Sequence, residues 1–296
     1  MSDGPRVVVL GGGPGGDVAA LRAAQMGAQV TLVERAELGG TCLNWGCIPT
    51  KALLAASDLL RKIREAKEFG ILVGEVGYDF AAMMSRKDDI VGKMRGGVQG
   101  ACDRKGVVVV KGQGVVDGDA VVVDGTRHEF DHLIVATGTE PAGLPGIDMD
   151  HPAVLTSNDV LVMPEVPESM IILGAGVIGC EFASLFQPLG VQVTMVEMLD
   201  RILAGIDTRT AKQFQKTLEK DGAQIHLGRR LEEVTSYSDD GVTIRLDDGT
   251  ELSAAKLLIS IGRKPQTAGI GLEDAGIEVN ERGHVVVDEF LRTANP

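Results

Sequence analysis

Two cysteines separated by four residues carry the clearest chemistry in this sequence. Cys42 and Cys47 lie between Gly40 and Lys51, and Pro49 indicates the first turn of a helix. A thiolate at Cys47 would then face the positive end of that helix, which stabilises it. Because the thiolate is the species that attacks a disulfide, the pattern predicts a redox-active pair.

Two other interpretations of the pair are a zinc site and a pair of buried, unreactive thiols. Zinc ordinarily takes four ligands, and no other Cys or His lies near enough in sequence to complete a set. We therefore predict no metal. Of the two remaining cysteines, Cys180 is expected to be structural, and Cys102 has no role that the sequence indicates.

A glycine-rich pattern that occurs twice determines how the rest of the chain is organised. Each copy follows a short apolar run, precedes a helix-like stretch, and has an acidic residue at the end of the next strand. The same spacing separates the first glycine from the acid in both. The copies are Gly11, Gly13, Gly16 and Glu34, and Gly174, Gly176, Gly179 and Glu197.

The pattern is typical of a βαβ unit that binds a dinucleotide. Its glycines permit a tight turn, close approach of the backbone to a pyrophosphate, and close packing of helix on strand. The helix N-terminus attracts the pyrophosphate, and the acid accepts hydrogen bonds from a ribose. Glu197 favours a free 2′-hydroxyl and Met198 offers no cation for a 2′-phosphate, so NAD is preferred over NADP.

These signals predict an α/β fold with two Rossmann-like dinucleotide-binding domains, each of three layers. Between and after the two patterns we expect helices, short strands, a domain crossing and a β-rich run. The predicted segments are helices Pro49–Phe69 and Phe80–Lys105, strands Val107–Val110, Gly114–Val116, Ala120–Val123, His132–Ala136 and Lys256–Ile261, the crossing Pro141–Pro152, and the β-rich run Gly228–Leu252.

Length, charge and hydropathy narrow the class of protein. A chain of 296 residues is long for a single domain. Its net charge of −13 argues against nucleic acid as a partner, because phosphate binding needs a surplus of Lys and Arg. No apolar run approaches the roughly 20 residues of a spanning helix, and the first residues carry no apolar signal core. We expect no membrane association and a cytoplasmic location.

The cysteine segment, both glycine patterns, Ala136-Thr137-Gly138 and Gly262-Arg263-Lys264-Pro265 together resemble the pyridine nucleotide–disulfide oxidoreductases. The residues Leu43-Asn44 and Ile48-Pro49-Thr50-Lys51 look most like the dihydrolipoamide dehydrogenases within that family. The resemblance covers essentially the whole chain. It implies that the first glycine pattern holds FAD, that the second holds NAD, and that the NAD domain is inserted into the FAD domain.

The resemblance also implies roles for single residues. Cys42 matches the thiol that forms a mixed disulfide with substrate, and Cys47 matches the charge-transfer thiol that passes electrons to the flavin. Lys51 and Glu181 match an ion pair beside the flavin, with Lys51 also contacting the cofactor. Further matches to FAD contacts, or to the loop that returns from the NAD domain, are Gly40, Thr41, Gly114, Thr137, Gly138, Gly262 and Arg263.

The implied domains are an FAD-binding domain over 1–147, an NAD-binding domain over 148–266 and a return segment over 267–296. Members of the family continue into a dimerisation domain that carries a His–Glu base. None of the five histidines lies in such a motif, so we expect that domain to be absent from this sequence. The full-length parent is expected to be a homodimer whose partner is dihydrolipoamide or the lipoyl domain of a 2-oxo acid dehydrogenase or glycine cleavage complex.

The expected reaction is dihydrolipoamide + NAD⁺ to lipoamide + NADH, through FAD and the Cys42–Cys47 disulfide. One alternative is an NAD(P)H-dependent glutathione-type or mercuric reductase. Glu197 weighs against it, because those enzymes mostly use NADPH. The other alternative is a nucleotide-binding polypeptide that is inactive in this truncated form.

Overall fold

A computed structural model describes residues 4–238 and 241–295. Its internal contacts divide the chain into two compact units, each assembled from separate stretches of sequence. Unit 1 comprises Met1–Ile48, Asp89–Glu140 and Arg263–Pro296, and unit 2 comprises Pro49–Asp88 and Pro141–Gly262. The domain bounds expected from the sequence stay a prediction.

The secondary structure alternates short strands with helices along most of the chain. The strands are β1 (Arg6–Leu10), β2 (Gln29–Glu34), β3 (Val108–Lys111), β4 (Val115–Asp117), β5 (Ala120–Val123), β6 (Thr126–Glu129), β7 (His132–Val135), β8 (Thr139–Pro141), β9 (Val154–Leu155), β10 (Ser169–Leu173), β11 (Gln192–Glu197), β12 (Gln224–Leu227), β13 (Leu231–Ser238), β14 (Gly241–Leu246), β15 (Glu251–Ala254), β16 (Lys256–Ile259) and β17 (Arg263–Pro265). The helices are α1 (Pro14–Gln25), α2 (Gly40–Trp45), α3 (Cys47–Glu65), α4 (Phe80–Lys105), α5 (Ser157–Val160), α6 (Val177–Phe186) and α7 (Thr208–Lys220), with 3-10 turns at Ala66–Phe69 and Gln187–Leu189.

Unit 1 has a parallel sheet in the order β3-β2-β1-β7. Because successive side chains of a strand point to opposite faces, β1 supplies two cores. Val7 and Val9 pack in the core that contains Ala20 of α1. Val8 and Leu10 pack in the core formed with the antiparallel strands β4 and β5. The sheet is therefore the middle of three layers.

Unit 2 repeats this plan with a parallel sheet in the order β12-β11-β10-β16-β9. Met170 and Ile172 of β10 pack in the core that contains α6. Ile171 and Leu173 pack in the core formed with β14, which pairs with β13 and β15 as an antiparallel sheet. The prediction of two three-layer, Rossmann-like α/β arrangements is confirmed.

Several predicted elements are confirmed to the residue, and others shift or were missed. The helix Phe80–Lys105 and the strand Ala120–Val123 have the predicted bounds. The helix expected to begin at Pro49 begins two residues earlier, and it ends at Glu65 before a 3-10 turn. The sequence interpretation missed α2, which is only six residues long, and α7, whose start is capped by the Asp207 side chain.

None of the helices formed by residues 4–238 and 241–295 combines the length and apolar character needed to cross a membrane.

Candidate functional site

The first glycine turn is held by close backbone packing within unit 1. Gly11 has φ +107°, and a Cβ at this position would lie 2.2 Å from the carbonyl oxygen of Ala136. A Cβ at Gly16 would lie 1.8 Å from the carbonyl oxygen of Gly11. Only glycine fits either position, so α1 can begin directly against the end of β1.

The second glycine turn has the same geometry in unit 2. Gly174 has φ +94°, and a Cβ there would lie 2.6 Å from the Ser260 carbonyl oxygen. A Cβ at Gly179 would lie 2.0 Å from the Gly174 carbonyl oxygen. Gly13 and Gly176 are the N-cap residues of α1 and α6, and neither helix start has a side-chain cap. Their first backbone N–H groups are thus suited to a phosphate.

The two acidic residues occupy equivalent positions beside these turns. Glu34 accepts hydrogen bonds from the backbone N–H groups of Gly12 (2.6 Å) and Ala36 (2.7 Å). Glu197 accepts from Ala175 (2.7 Å) and Leu199 (2.9 Å). Each carboxylate is therefore fixed at the end of its strand, next to the middle residue of the turn, where a ribose of a bound dinucleotide would lie.

A cavity of about 420 Å³ lies next to Glu34 in unit 1, and its wall includes Glu37, Arg95, Gln99 and Lys111. Ligand sites in proteins typically have volumes of roughly 300 to 1,000 Å³. A cavity of this size beside Glu34 has room for the adenosine part of a dinucleotide.

The cysteine pair lies close to the first glycine turn. Cys42 lies on α2 and is half-buried, and Cys47 is exposed at the first residue of α3, as its predicted place at the helix N-terminus requires. Helix α2 begins at Gly40, where a Cβ would lie only 2.6 Å from the Cα atom of Gly13. Two glycine backbones in contact thus bring the cysteine-bearing helix against the dinucleotide turn of unit 1.

Arg263 lies near the start of α2, between Thr139 and Thr41. Its Nε donates to Thr139 Oγ1 (2.7 Å), and its Nη2 donates to the Thr139 carbonyl (2.7 Å) and, more weakly, to Thr41 Oγ1 (3.5 Å). Burial lowers the pKa of the Arg263 guanidinium below its ordinary value, which still leaves it charged at neutral pH. The guanidinium is therefore a partly buried cation next to the residue that precedes Cys42.

The remaining predicted FAD contacts of unit 1 line the carboxyl end of its sheet. Thr137 and Gly138 follow β7, and the Gly138 carbonyl accepts from the Gln266 backbone N–H (3.0 Å). Gly114 precedes β4, and a Cβ there would lie 2.5 Å from Leu10 Cδ1. A larger residue at Gly114 would thus displace the core behind β1.

Three other predicted site residues belong to unit 2. Lys51 Nζ lies 2.7 Å from Glu181 Oε1, so the predicted ion pair is present between α3 and α6. Gly262 is the last residue of unit 2, and its carbonyl accepts from the Ala142 backbone N–H (3.0 Å). The role of the ion pair beside a flavin stays a prediction.

The other two cysteines are buried and differ chemically from the pair. Burial raises the pKa of the Cys180 thiol to about 12, with smaller contributions from Glu197 and Glu181. Burial also raises the pKa of Cys102. Both remain neutral thiols at physiological pH and are poor nucleophiles. Over the described ranges, no three His, Cys, Asp or Glu side chains are grouped so that they could hold a metal ion.

Two residues of the site were not found from the sequence. Asn44 is buried, and its Nδ2 donates to the carbonyls of Leu38 (2.9 Å) and Gly40 (3.0 Å) at the start of α2. Arg95 Nε donates to Asn44 Oδ1 (3.0 Å). Asn44 lies inside the cysteine segment and could have been singled out there. Arg95 lies on a helix more than 50 residues beyond Cys42, with no local signal.

The chain is similar to known proteins over nearly its whole length. The profile of the family described as pyridine nucleotide-disulphide oxidoreductase matches residues 5–296. Mitochondrial dihydrolipoyl dehydrogenase of Dictyostelium discoideum is 40% identical over 305 residues, which cover 98% of this chain and 62% of the relative. Dihydrolipoyl dehydrogenase 3 of Pseudomonas putida is 43% identical over 291 residues, covering 94% of this chain and 62% of the relative.

A solved structure agrees with these relatives. The HOCl-induced flavoprotein disulfide reductase RclA from Escherichia coli superimposes with a TM-score of 0.84 at 31% identity, covering 98% of this chain and 64% of that chain. The chain thus spans less than two thirds of the length of these three proteins.

The fold and the site define an α/β protein with two dinucleotide turns and a cysteine pair next to the first. This chain belongs to the pyridine nucleotide-disulphide oxidoreductase family. The family is one of oxidoreductase enzymes, and its cofactors are FAD and NAD. The residues of unit 1 and unit 2 fit these two dinucleotides.

Proposed function

We propose that this chain forms the FAD- and NAD-binding part of an enzyme that oxidises dihydrolipoamide with NAD⁺. The observation that carries the proposal is the place of Cys42, on a helix whose first residue contacts Gly13 of the glycine turn in unit 1. A thiol next to a dinucleotide turn can exchange electrons with a cofactor held there. The names of the relatives favour dihydrolipoamide as the dithiol substrate.

The proposed chemistry is two successive disulfide exchanges followed by electron transfer. A dihydrolipoamide thiolate attacks the Cys42 sulfur, so that a mixed disulfide forms, the Cys42–Cys47 bond breaks and Cys47 leaves as a thiolate. The second substrate thiol, as its thiolate, then displaces Cys42, which releases lipoamide and leaves both cysteines reduced. FAD supplies the relay by which the two electrons reach NAD⁺, and the products are the restored disulfide, NADH and one proton.

We assign FAD to unit 1. The helix start after Gly13 would hold the pyrophosphate, Glu34 would hold the adenosine ribose, and the adjoining cavity would hold the adenine. The proposed contacts are Gly11, Gly13, Gly16, Glu34, Gly40, Thr41, Gly114, Thr137, Gly138 and Arg263. For the Lys51–Glu181 pair we keep the role that the family resemblance implies, in which the cation would stabilise a reduced, anionic flavin.

We assign NAD to unit 2. The start of α6 after Gly176 would hold the pyrophosphate, and the Glu197 carboxylate would accept hydrogen bonds from a ribose that has a free 2′-hydroxyl. The exposed Met198 next to it offers no positive charge to a 2′-phosphate. The proposed contacts are Gly174, Gly176, Gly179, Glu197 and Gly262.

The domains, partners and location follow from the same proposal. Bounds of 1–147 for the FAD domain and 148–266 for the NAD domain would give each domain one glycine turn. The proposed partner is a lipoyl group, free or on the lipoyl domain of a multienzyme complex, and the parent protein is proposed to be a homodimer. A cytoplasmic location suits cysteines that must cycle between disulfide and dithiol.

The experiment that tests the proposal compares electron acceptors. NADH oxidation is measured for the protein that contains this chain, with lipoamide, oxidised glutathione or mercuric ion as the electron acceptor. Lipoamide should be reduced fastest, and NADPH should replace NADH poorly. Faster reduction of oxidised glutathione or mercuric ion would contradict the proposed substrate and leave the assignment of the cofactors to be tested separately.

A further inference from the structure

Helix α2, which carries Cys42, is held at its N-terminal end by one buried side chain. The Asn44 amide donates to the carbonyl groups of Leu38 (2.9 Å) and Gly40 (3.0 Å), with a longer contact to the carbonyl of Glu37 (3.4 Å). A helix of six residues has too few internal hydrogen bonds to be stable alone. The Asn44 amide therefore acts together with the contact of Gly40 with Gly13 to hold α2 in position.

The orientation of that amide is fixed by Arg95. An asparagine amide can rotate so that its oxygen and nitrogen exchange places, and acceptors on the nitrogen side together with a donor on the oxygen side oppose this rotation. Arg95 Nε supplies the donor, 3.0 Å from Asn44 Oδ1. Arg95 reaches this position from α4, more than 50 residues away in sequence. Arg95 thus holds Asn44, and Asn44 holds α2.

Arg95 is in turn held by an ion pair with Glu37 in the wall of the cavity beside Glu34. Its Nη1 lies 3.1 Å from Glu37 Oε2, and both residues line that cavity. Lys111 also lines the cavity, and its Nζ lies 3.3 Å from the other carboxylate oxygen of Glu37. The two cations share a carboxylate and a cavity, but only Arg95 has a hydrogen bond to Asn44 among those of the described residues.

We propose that Arg95 is a positioning residue for the Cys42–Cys47 pair. By fixing the Asn44 amide it keeps α2, and Cys42 with it, in the place from which the disulfide with Cys47 closes. The inference rests on the proposed function for the redox use of the pair. It adds a residue that lies outside the cysteine segment and outside both glycine patterns.

Removal of Arg95 should change the disulfide equilibrium. A thiol that is held in place has a high effective concentration at its partner, and that advantage falls when the supporting helix is loosened. Losing one hydrogen bond to a charged group should lower the equilibrium constant for disulfide formation by about tenfold. The cavity charge alone should have little effect, because Lys111 does not reach Asn44.

The test uses the FAD-loaded chain as wild type, Arg95→Met, Arg95→Lys and Lys111→Met. Each is equilibrated with mixtures of reduced and oxidised dithiothreitol, in which two electrons and two protons pass between the reagent and the Cys42–Cys47 pair. The fraction of disulfide is read by alkylation and mass spectrometry. Circular dichroism checks folding, and Arg95→Lys keeps the charge but cannot contact Asn44 and Glu37 through one planar guanidinium.

The expected result is an equilibrium constant lowered by about tenfold in both Arg95 variants and changed by less than about twofold in Lys111→Met. Equal constants for wild type and the Arg95 variants would overturn the inference. So would equal shifts in Arg95→Met and Lys111→Met, since these would point to cavity charge. Failure of the wild type to bind FAD would instead contradict the proposed function, and the disulfide equilibrium could still be read without FAD.

Discussion

At the scale of single residues, burial gives the four cysteines two different chemistries. Cys47 is exposed at a helix N-terminus and Cys42 is half-buried on the preceding helix, so both can be reached by a substrate or cofactor. Cys102 and Cys180 are enclosed in hydrophobic cores, where the thiolate is disfavoured. Cys42 and Cys47 lie on α2 and at the start of α3, whereas Cys102 and Cys180 lie on the core-facing sides of α4 and α6.

The high pKa of Cys180 predicts a loss of stability in alkali. Its thiol has a pKa of about 12 in the folded protein, against an ordinary value of roughly 8.5 to 9 in an unfolded chain. The neutral thiol therefore contributes stability that is fully present below the unfolded value and is lost as pH rises toward 12. About one pH unit above the unfolded value, this loss should be about 1.4 kcal/mol.

Urea unfolding of wild type and Cys180→Ala at pH 8 and pH 10 measures this loss. The free energy of unfolding should fall less between the two pH values in Cys180→Ala than in wild type. Ser184→Ala, a substitution of a partly buried residue without a titratable group on the same helix, is the matched control and should behave like wild type. The same pH dependence in all three proteins would show that Cys180 does not titrate as its burial implies.

Asp17 should destabilise the folded chain at neutral pH. It lies in the first turn of α1 and is buried, and its Oδ1 has no hydrogen-bond partner among the described residues. Burial raises the pKa of this carboxyl above its ordinary value. Because its pKa is raised by folding, the Asp17 carboxyl contributes most to stability at pH values below the pKa of the unfolded chain. That contribution is lost as pH rises through the pKa of the folded chain.

Asp17→Asn should therefore raise the free energy of unfolding at pH 7 by about 1 kcal/mol, because a buried charge without a full set of partners is removed. The gain should disappear in acid, where the wild-type carboxyl is protonated in both states. Denaturant titrations at pH 7 and in acid provide the measurement. If Asp17→Asn is less stable than wild type at pH 7, the Asp17 carboxylate makes an interaction that stabilises the folded chain, and the prediction is wrong.

At the scale of elements, the two glycine turns have the same geometry. We propose that the first binds FAD and the second binds NAD. Cβ atoms at Gly16 and Gly179 would lie 1.8 Å and 2.0 Å from the carbonyl oxygens of Gly11 and Gly174. Such contacts force α1 or α6 away from its strand. Gly15, also in α1, tolerates alanine, because no heavy atom lies within 4 Å of the point that the alanine methyl group would occupy.

Substitution of each glycine should separate the two cofactors. Gly16→Ala should lose FAD, Gly179→Ala should retain FAD but bind NADH at least about 100-fold more weakly, and Gly15→Ala should retain both. Flavin absorbance of the purified protein and calorimetric titration with NADH report the two sites. Loss of NADH binding together with retained FAD in Gly16→Ala would reverse the assignment of the units.

Elements that are specified by residues close together in sequence were predicted correctly, whereas elements that depend on contacts between distant segments were not. The glycine turns and the strands that precede them were predictable, since short-range spacing specifies them. Helix α2 was not, because it depends on the contact of Gly40 with Gly13 and on the amide of Asn44. The contact of Arg95 with Asn44 joins distant segments, and a single sequence contains no sign of it.

At the scale of the whole molecule, the same plan is used twice, a parallel sheet with helices on one face and an antiparallel sheet on the other. The cysteine pair belongs to only one copy, next to the turn that we assign to FAD. From this asymmetry we propose that unit 1 holds the cofactor that exchanges electrons with Cys47, and that unit 2 holds the nucleotide that carries those electrons as hydride.

The most direct test of this account is a titration of the FAD-loaded chain with NADH while the absorbance spectrum is recorded. Wild type should develop a long-wavelength charge-transfer band from the Cys47 thiolate beside the flavin, and Cys47→Ser should lack it. Cys42→Ser should show the band before NADH is added, because Cys47 then has no disulfide partner and stays reduced. Identical spectra for wild type and Cys47→Ser, or a band lost only in Cys42→Ser, would contradict the assigned roles of the two cysteines.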